Sequence, residues 1–434
     1  MERPTAERMP AELTAATGRY AAAGQPFHPR YVVWELTLKC DQRCLHCGSR
    51  AADARPRELT RDESLQVVRE LSALGTGEVA LIGGEAYLHP NFLEVIEAIV
   101  QAGMRCSLTT GGRGVTAAMA AQMKSAGLYS ASVSVDGIGR THDLVRASRG
   151  SFDAAMAALE HLSAAGIAIS CNTTLNRVNV SELEALYELL VSRQIRAWQV
   201  QLTAPLGRAA DRPNMLIQPW ELLDIVPRLA RLKQRAYSDR ILLAVGNNVG
   251  YFSQDEQLLR SLVPDGRSHW QGCQAGRYVM GIESDGAVKG CPSLQTAHYV
   301  GGNLRERPLR EIWETTPQLA FTRKRSTGEL WGFCAECPFG SVCYAGCTFT
   351  AHALLRRPGN NPYCHYRAKT LASRGVRERL VPAEPASGKP FDNGRFDLVI
   401  EPLGADDPRP ARPEDFFRTQ SISQAGVRID GDNS

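Results

Sequence analysis

From Tyr31 to Leu202 the apolar residues recur with two alternating periods. Short runs rich in branched and aromatic residues read as strands: YVVWELTL (31–38), EVALI (78–82), MRCSLT (104–109), SASVSV (130–135), IAISCNTTL (167–175) and AWQVQL (197–202). Between them the period lengthens to that of a helix. Thr60 and Glu63 are spaced as a capping box, Leu65, Val68, Leu71 and Leu74 share one face, and Gly75 closes the segment. Asn91 opens a second helix with Val95, Ile96, Ile99 and Val100 on one side, ending at Gly103. Helices are expected again over 117–126, 151–165 and 181–193, the last with Ser181 and Glu184 as a second capping box. Six strand–helix alternations predict a parallel sheet. Right-handed crossovers would curl it into a partial or full (β/α) barrel. A flat, doubly wound sheet satisfies the same pattern.

Beyond Gly207 the pattern changes. Residues 211–265 read as a mainly helical bridging region, and 266–371 as a small domain with Gly, Pro and short strand-like runs such as RYVMGIES. The segment 1–30 reads as an extension with a short helix. The segment 372–434, rich in Pro, Arg, Asp and Gly, reads as a loosely ordered tail, with FDLVIEPL (396–403) as an added strand. The barrel is expected over 31–210.

The chain has 434 residues and a net charge of +4, so its balanced charges call for neither nucleic acid nor a membrane surface. MERPTAERMPAEL lacks the apolar stretch of a signal peptide, and no apolar run spans a bilayer. A cytoplasmic protein is expected. There, twelve cysteines point to metal rather than to disulfides.

The unusual residues fall where strands end, the place where a (β/α) barrel gathers its chemistry. KCDQRCLHC follows the first strand, GGEAYLHP the second, TTGGRG the third, DGIGRTHDLVR the fourth, Asn172 and Thr173 mark the fifth, and PLGRA follows the sixth. Cys40, Cys44 and Cys47 put three soft thiolates on one loop. Four would close a zinc or iron site, whereas three leave one iron of a [4Fe–4S] cluster open to a ligand.

This CxxxCxxC loop resembles that of the radical S-adenosylmethionine (SAM) superfamily, and the likeness runs from Tyr31 to about Arg208. The resemblance implies a [4Fe–4S] cluster on those three cysteines, with bound SAM. It implies that Gly83, Gly84 and Glu85 receive the methionine amino group, that His46 touches the adenine, and that Ser134 and Asp136 face the ribose. Arg146 would pair with the methionine carboxylate, and Thr109 and Asn172 would add polar contacts. Thr110 stands where relatives often carry Asn. The implied reaction is reductive cleavage of SAM to methionine and a 5′-deoxyadenosyl radical that abstracts hydrogen from substrate.

Cys273, Gly286 and Cys291, the run Cys334, Cys337, Cys343 and Cys347, and then Cys364 resemble a SPASM domain in order and spacing. The likeness implies two auxiliary iron–sulfur clusters. Cys334, Cys337, Cys343 and Cys364 would hold one. Cys273, Cys291 and Cys347 would hold the other, with a fourth position not filled by cysteine. Cys106 and Cys171 lie inside strands and read as packed thiols. The expected substrate is a ribosomally made peptide or a protein undergoing modification, with an electron donor such as flavodoxin or ferredoxin. Residues 1–30 look too short for a leader-binding domain, so a separate leader-peptide-binding protein is a candidate partner. Sulfatase maturation and porphyrin modification are the alternative reactions, and a non-catalytic iron–sulfur carrier is the alternative of another class. Asn247, Tyr251 and Trp270 are candidates for lining a substrate channel.

Overall fold

A computed structural model describes residues 27–264, 266–407 and 413. The expectations for residues 1–26 and for most of the tail beyond 407 lie outside the described residues.

Seven parallel strands follow one another in spatial order: β1 (Tyr31–Thr37), β2 (Glu78–Gly83), β3 (Arg105–Thr110), β4 (Ser130–Ser134), β5 (Ala168–Leu175), β6 (Ala197–Leu202) and β7 (Leu242–Val245). Helices α1 (Arg61–Ala73), α2 (Phe92–Gln101), α3 (Ala117–Ser125), α4 (Arg140–Arg146), α5 (Ser151–Ala164), α6 (Leu183–Ser192) and α7 (Leu222–Ser238) lie in the crossovers. This is a partial (β/α) barrel with six strand–helix repeats and a seventh strand. Its core is the strip between sheet and helices, where Leu71, Leu81, Ile96, Ile99 and Trp198 are fully enclosed. Burying such side chains stabilises the fold by about 1.5–3 kcal/mol each.

The sheet does not stop at the barrel. β8 (Val279–Ile282) pairs in parallel with β1, and β9 (Ala287–Lys289) and β10 (Val300–Asn303) extend it antiparallel. The cysteine-rich region is therefore fused to the first barrel strand through backbone hydrogen bonds.

Three local expectations are corrected. Thr60 and Glu63 do form a capping box, but Ser181 and Glu184 do not. Glu184 instead reaches Arg228 at 2.7 Å, and a short 3₁₀ turn precedes α6. β7 and α4 went unread: the first is four residues long and the second lies inside a motif-rich loop. The expected loose tail is ordered over 376–402. There β11 (Val376–Glu384) and β12 (Arg395–Pro402) form a separate antiparallel hairpin. Phe396 anchors it in the core, and Arg367 in the preceding helix grips Glu378 at 2.6 and 2.7 Å.

Among the described residues no helix is long and apolar enough to cross a membrane.

Candidate functional site

The loop carrying Cys40, Cys44 and Cys47 is fixed at both ends and at its middle. Cys40 N–H donates to Ala52 O at 2.9 Å, and Leu45 N–H to Val145 O at 2.9 Å. Arg208, from the PLGRA segment, donates from Nε to Cys44 O and from Nη2 to Ala51 O. Gly207 passes so close that a Cβ there would stand 2.2 Å from Gly48 O, at φ +57°; only glycine fits. Gly84 is equally constrained, its would-be Cβ 2.1 Å from Lys39 O. The ends of β1 and β2 are thus pressed together under the cysteine loop.

The three thiols line an inner chamber of about 680 Å³ with His46, Gly83, Gly84, Glu85, Thr109, Ser134 and Arg146. Burial pushes the Cys40 thiol up to about 12 and the Cys44 thiol up to about 11. Such sulfurs become thiolates at neutral pH only with positive charge nearby. Burial likewise raises Glu85 to about 7, although Thr110 Oγ1 and Gly111 N–H each donate to it at 2.6 Å. Thr110 therefore serves to orient Glu85. His46 is held down to about 4 by burial and is neutral at physiological pH.

Asp136 departs from expectation. It is fully buried and lines neither chamber. Its carboxylate takes Arg146 Nη2 at 2.6 Å, Thr174 N–H at 2.7 Å and lies 3.4 Å from His46 Nε2. Burial raises its pKa, but Arg146, His46 and His142 outweigh that and hold it low. Asp136 therefore aims Arg146 and His46 from behind rather than facing a ribose. Arg146 does face the chamber and lies 3.7 Å from Cys44 Sγ. Asn172, Thr109 and Ser134 line the adjoining outer chamber.

That outer chamber, about 1040 Å³ and open to solvent, is walled by side chains from both halves of the chain. Thr174, Gln201, Thr203 and Asn248 come from the barrel, Ser293 and Phe349 from the cysteine-rich region, and Phe391 from the hairpin. Its charged lining residues, Glu35 and Arg146, are both tied into ion pairs, with Arg55 at 2.8 Å and Asp136 at 2.6 Å. Glu35 and Phe391 were not read from sequence. The first hides in an apolar strand run and the second in a Pro- and Gly-rich tail. Asn248 rather than its neighbour Asn247 reaches the chamber.

Cys334, Cys337, Cys343 and Cys364 together line one pocket with Phe252, Phe333 and Phe339. Cys273, Cys291 and Cys347 form a second group. Beyond burial, the neighbouring Cys273 and Cys347 help to raise Cys291 to about 12. Tyr251 and Trp270 belong to this region, not to a substrate channel. Their rings meet at 5.2 Å, Cys347 N–H donates to Tyr251 Oη, and Trp270 Nε1 donates to Cys343 O. Cys106 and Cys171 are fully buried in β3 and β5.

The residues around the first loop fit a polar, metal-bearing group. Gln42 Nε2, His46 Nδ1 and Arg146 Nε are buried there without a hydrogen-bond partner, an expensive condition for a protein interior. No three His, Cys, Asp or Glu among the described residues converge as a single ion demands. A cuboidal cluster spreads its thiolates over its corners and asks for a wider cradle.

Comparison with known proteins agrees in both regions. The radical SAM superfamily model matches residues 34–190, and the SPASM iron–sulfur cluster-binding domain matches 273–338. An AdoMet-dependent heme synthase of Methanosarcina barkeri is 30% identical over 349 residues, covering 78% of this chain and 97% of that protein. The mycofactocin maturase MftC of Mycolicibacterium smegmatis is 28% identical over 322 residues, covering 74% of this chain and 78% of its own length. Among solved structures, Streptococcus suis SuiB bound to its precursor peptide SuiA superposes with a TM-score of 0.60 at 15% identity, over 78% of this chain and 76% of that one. The anSMEcpe structure with bound AdoMet gives 0.63 at 17% identity, over 79% and 97%.

Proposed function

The chain belongs to the radical SAM superfamily and carries a SPASM domain, and from that premise we propose that it modifies a peptide or protein substrate after translation. SAM, a [4Fe–4S] cluster in the barrel and auxiliary iron–sulfur clusters in the SPASM domain are its cofactors. When bound, the barrel cluster and SAM supply an adenosyl radical able to abstract hydrogen from an unactivated carbon.

In this reading Cys40, Cys44 and Cys47 hold the barrel cluster, and Glu85 takes the SAM ammonium as its counter-charge. Arg146, steadied by Asp136, offers its guanidinium to the SAM carboxylate. Neutral His46 presents a flat ring that suits adenine. Cys334, Cys337, Cys343 and Cys364 hold one auxiliary cluster, and Cys273, Cys291 and Cys347 the other. With SAM and substrate filling the chamber, its walls would help to keep water from the reacting carbon.

The observation that carries the peptide reading is the chemistry of the outer chamber. Amides and hydroxyls of Thr174, Gln201, Thr203 and Ser293 line it, and its one arginine, held by Asp136, is the one assigned to the SAM carboxylate. A peptide backbone offers amide donors and acceptors that such a surface can match. A porphyrin bearing several carboxylates would ask for cations to pair with them. The kinship with the maturase MftC accords with this choice.

A second reading, modification of a porphyrin, is favoured by the heme synthase at 30% identity. Parallel anaerobic incubations with SAM and dithionite separate the two. One holds iron coproporphyrin III, and the other a short peptide encoded beside the gene. Mass spectrometry is expected to show a mass change in the peptide alone. A change confined to the porphyrin would overturn the peptide reading.

A further inference from the structure

The turn between β11 and β12 does not hang free. Phe391 N–H donates to Gly48 O at 3.1 Å, and Asp392 O accepts from Gly207 N–H at 2.8 Å. Asn393 bridges Leu206 in antiparallel fashion. The tip is thus bonded to the last residues of the cysteine loop and to the segment that clamps it.

Arg50 locks this arrangement. Its Nε donates to Asp392 Oδ1 at 2.9 Å, while its two Nη atoms take Asp211 at 2.6 and 2.8 Å. The Asp392 Oδ2 atom in turn accepts from Ser387 Oγ and Gly388 N–H, fixing the turn itself.

Two features of Phe391 go beyond packing. Its ring forms part of the outer chamber wall, 3.9 Å from Lys289 Nζ, and that lysine is fully buried against Glu283. Its backbone also sits at φ +53°, a conformation a bulky residue adopts only under constraint. Strain of this kind is kept where surrounding contacts hold a side chain to a purpose.

We infer that the hairpin tip is a wall of the reaction chamber, with Phe391 as the residue that shields the reacting centre from small reductants in solvent. Arg50 and Asp392 are its positioning residues. The inference rests on the chemistry common to the superfamily and does not depend on the substrate class.

The test uses the cluster-loaded full chain with SAM, dithionite and dithiothreitol in D₂O, without substrate. Each leak event moves one deuterium atom from sulfur to the 5′ carbon and leaves a thiyl radical, so the deuterium content of 5′-deoxyadenosine counts access to the chamber. Phe391→Ala should raise that content severalfold. It should also speed release of labelled SAM severalfold from the unreduced protein, a readout that needs no turnover. Phe391→Tyr should restore native values. Native values of both readouts in Phe391→Ala at full iron content would overturn the inference. Should Phe391→Ala lose its clusters, Phe391→Val takes its place with the same two outcomes.

Discussion

At the scale of single residues, burial shifts the protonation equilibria of the site's groups. Glu85 is the sharpest case. Burial raises it to about 7, so it is neutral below that pH and anionic above it. An ammonium ligand binds the anion, so SAM affinity should fall as pH drops through about 7. His46, near 4, contributes no titration in this window. Equilibrium dialysis between pH 6 and 8 should show this slope in the native protein, and Glu85→Gln should flatten it while weakening binding throughout. A slope that survives Glu85→Gln would assign the titration elsewhere. Cys343 offers a second residue-scale test. Cys343→Ala should remove about four irons per chain, the content of one cuboidal cluster, and leave SAM binding unchanged.

At the scale of elements, the close approach of β1 and β2 shapes the cradle. Gly84→Ala would place a methyl 2.1 Å from Lys39 O, a clash with backbone that cannot rotate away. It should cost more than about 2 kcal/mol in chemical denaturation, within the range of overpacking and backbone strain. A midpoint equal to that of the native protein would show that the strand ends can part. Elements were legible in the sequence where the pattern was long. The six strands and their helices follow from alternating apolar periods, the Cys40, Cys44 and Cys47 loop from its spacing, and the two later cysteine sets only from the likeness to a SPASM domain. β7 was missed because ILLAV is too short to stand out beside α7. β12 falls where the strand over 396–403 was expected, whereas its partner β11 was missed because VRERLVPAE mixes charged and apolar residues without a clean alternation. Asp136 was read as a ligand contact because sequence shows that it follows β4, but not that Arg146 folds back onto it. Long-range pairings such as Arg50 with Asp392, 342 positions apart, leave no local signal.

At the scale of the molecule, one sheet carries both the barrel and the start of the SPASM domain, and a buried chain of charges crosses the same seam. Glu35 on β1 meets Arg55 at 2.8 Å, Arg55 meets Glu283 at 3.3 Å, and Glu283 meets Lys289 at 2.7 Å. Lys289 stands two positions before Cys291. Removing Arg55 leaves the buried Glu35 carboxylate without its cation while Glu283 keeps Lys289, and the loss of one partner in such a set costs about 3–5 kcal/mol. Arg55→Ala should therefore lower the unfolding midpoint and release first the cluster proposed at Cys273, Cys291 and Cys347, read as iron loss during thermal unfolding. Simultaneous loss of all iron would mean that the seam carries no special share of the stability.

The proposed chemistry requires a three-thiol cradle that would leave one iron free for SAM. Electron paramagnetic resonance of the dithionite-reduced, cluster-loaded protein tests this directly. Addition of SAM should shift the signal of one cluster, and Cys44→Ala should abolish that shifted signal while the auxiliary signals persist. Spectra that are identical with and without SAM would contradict the account.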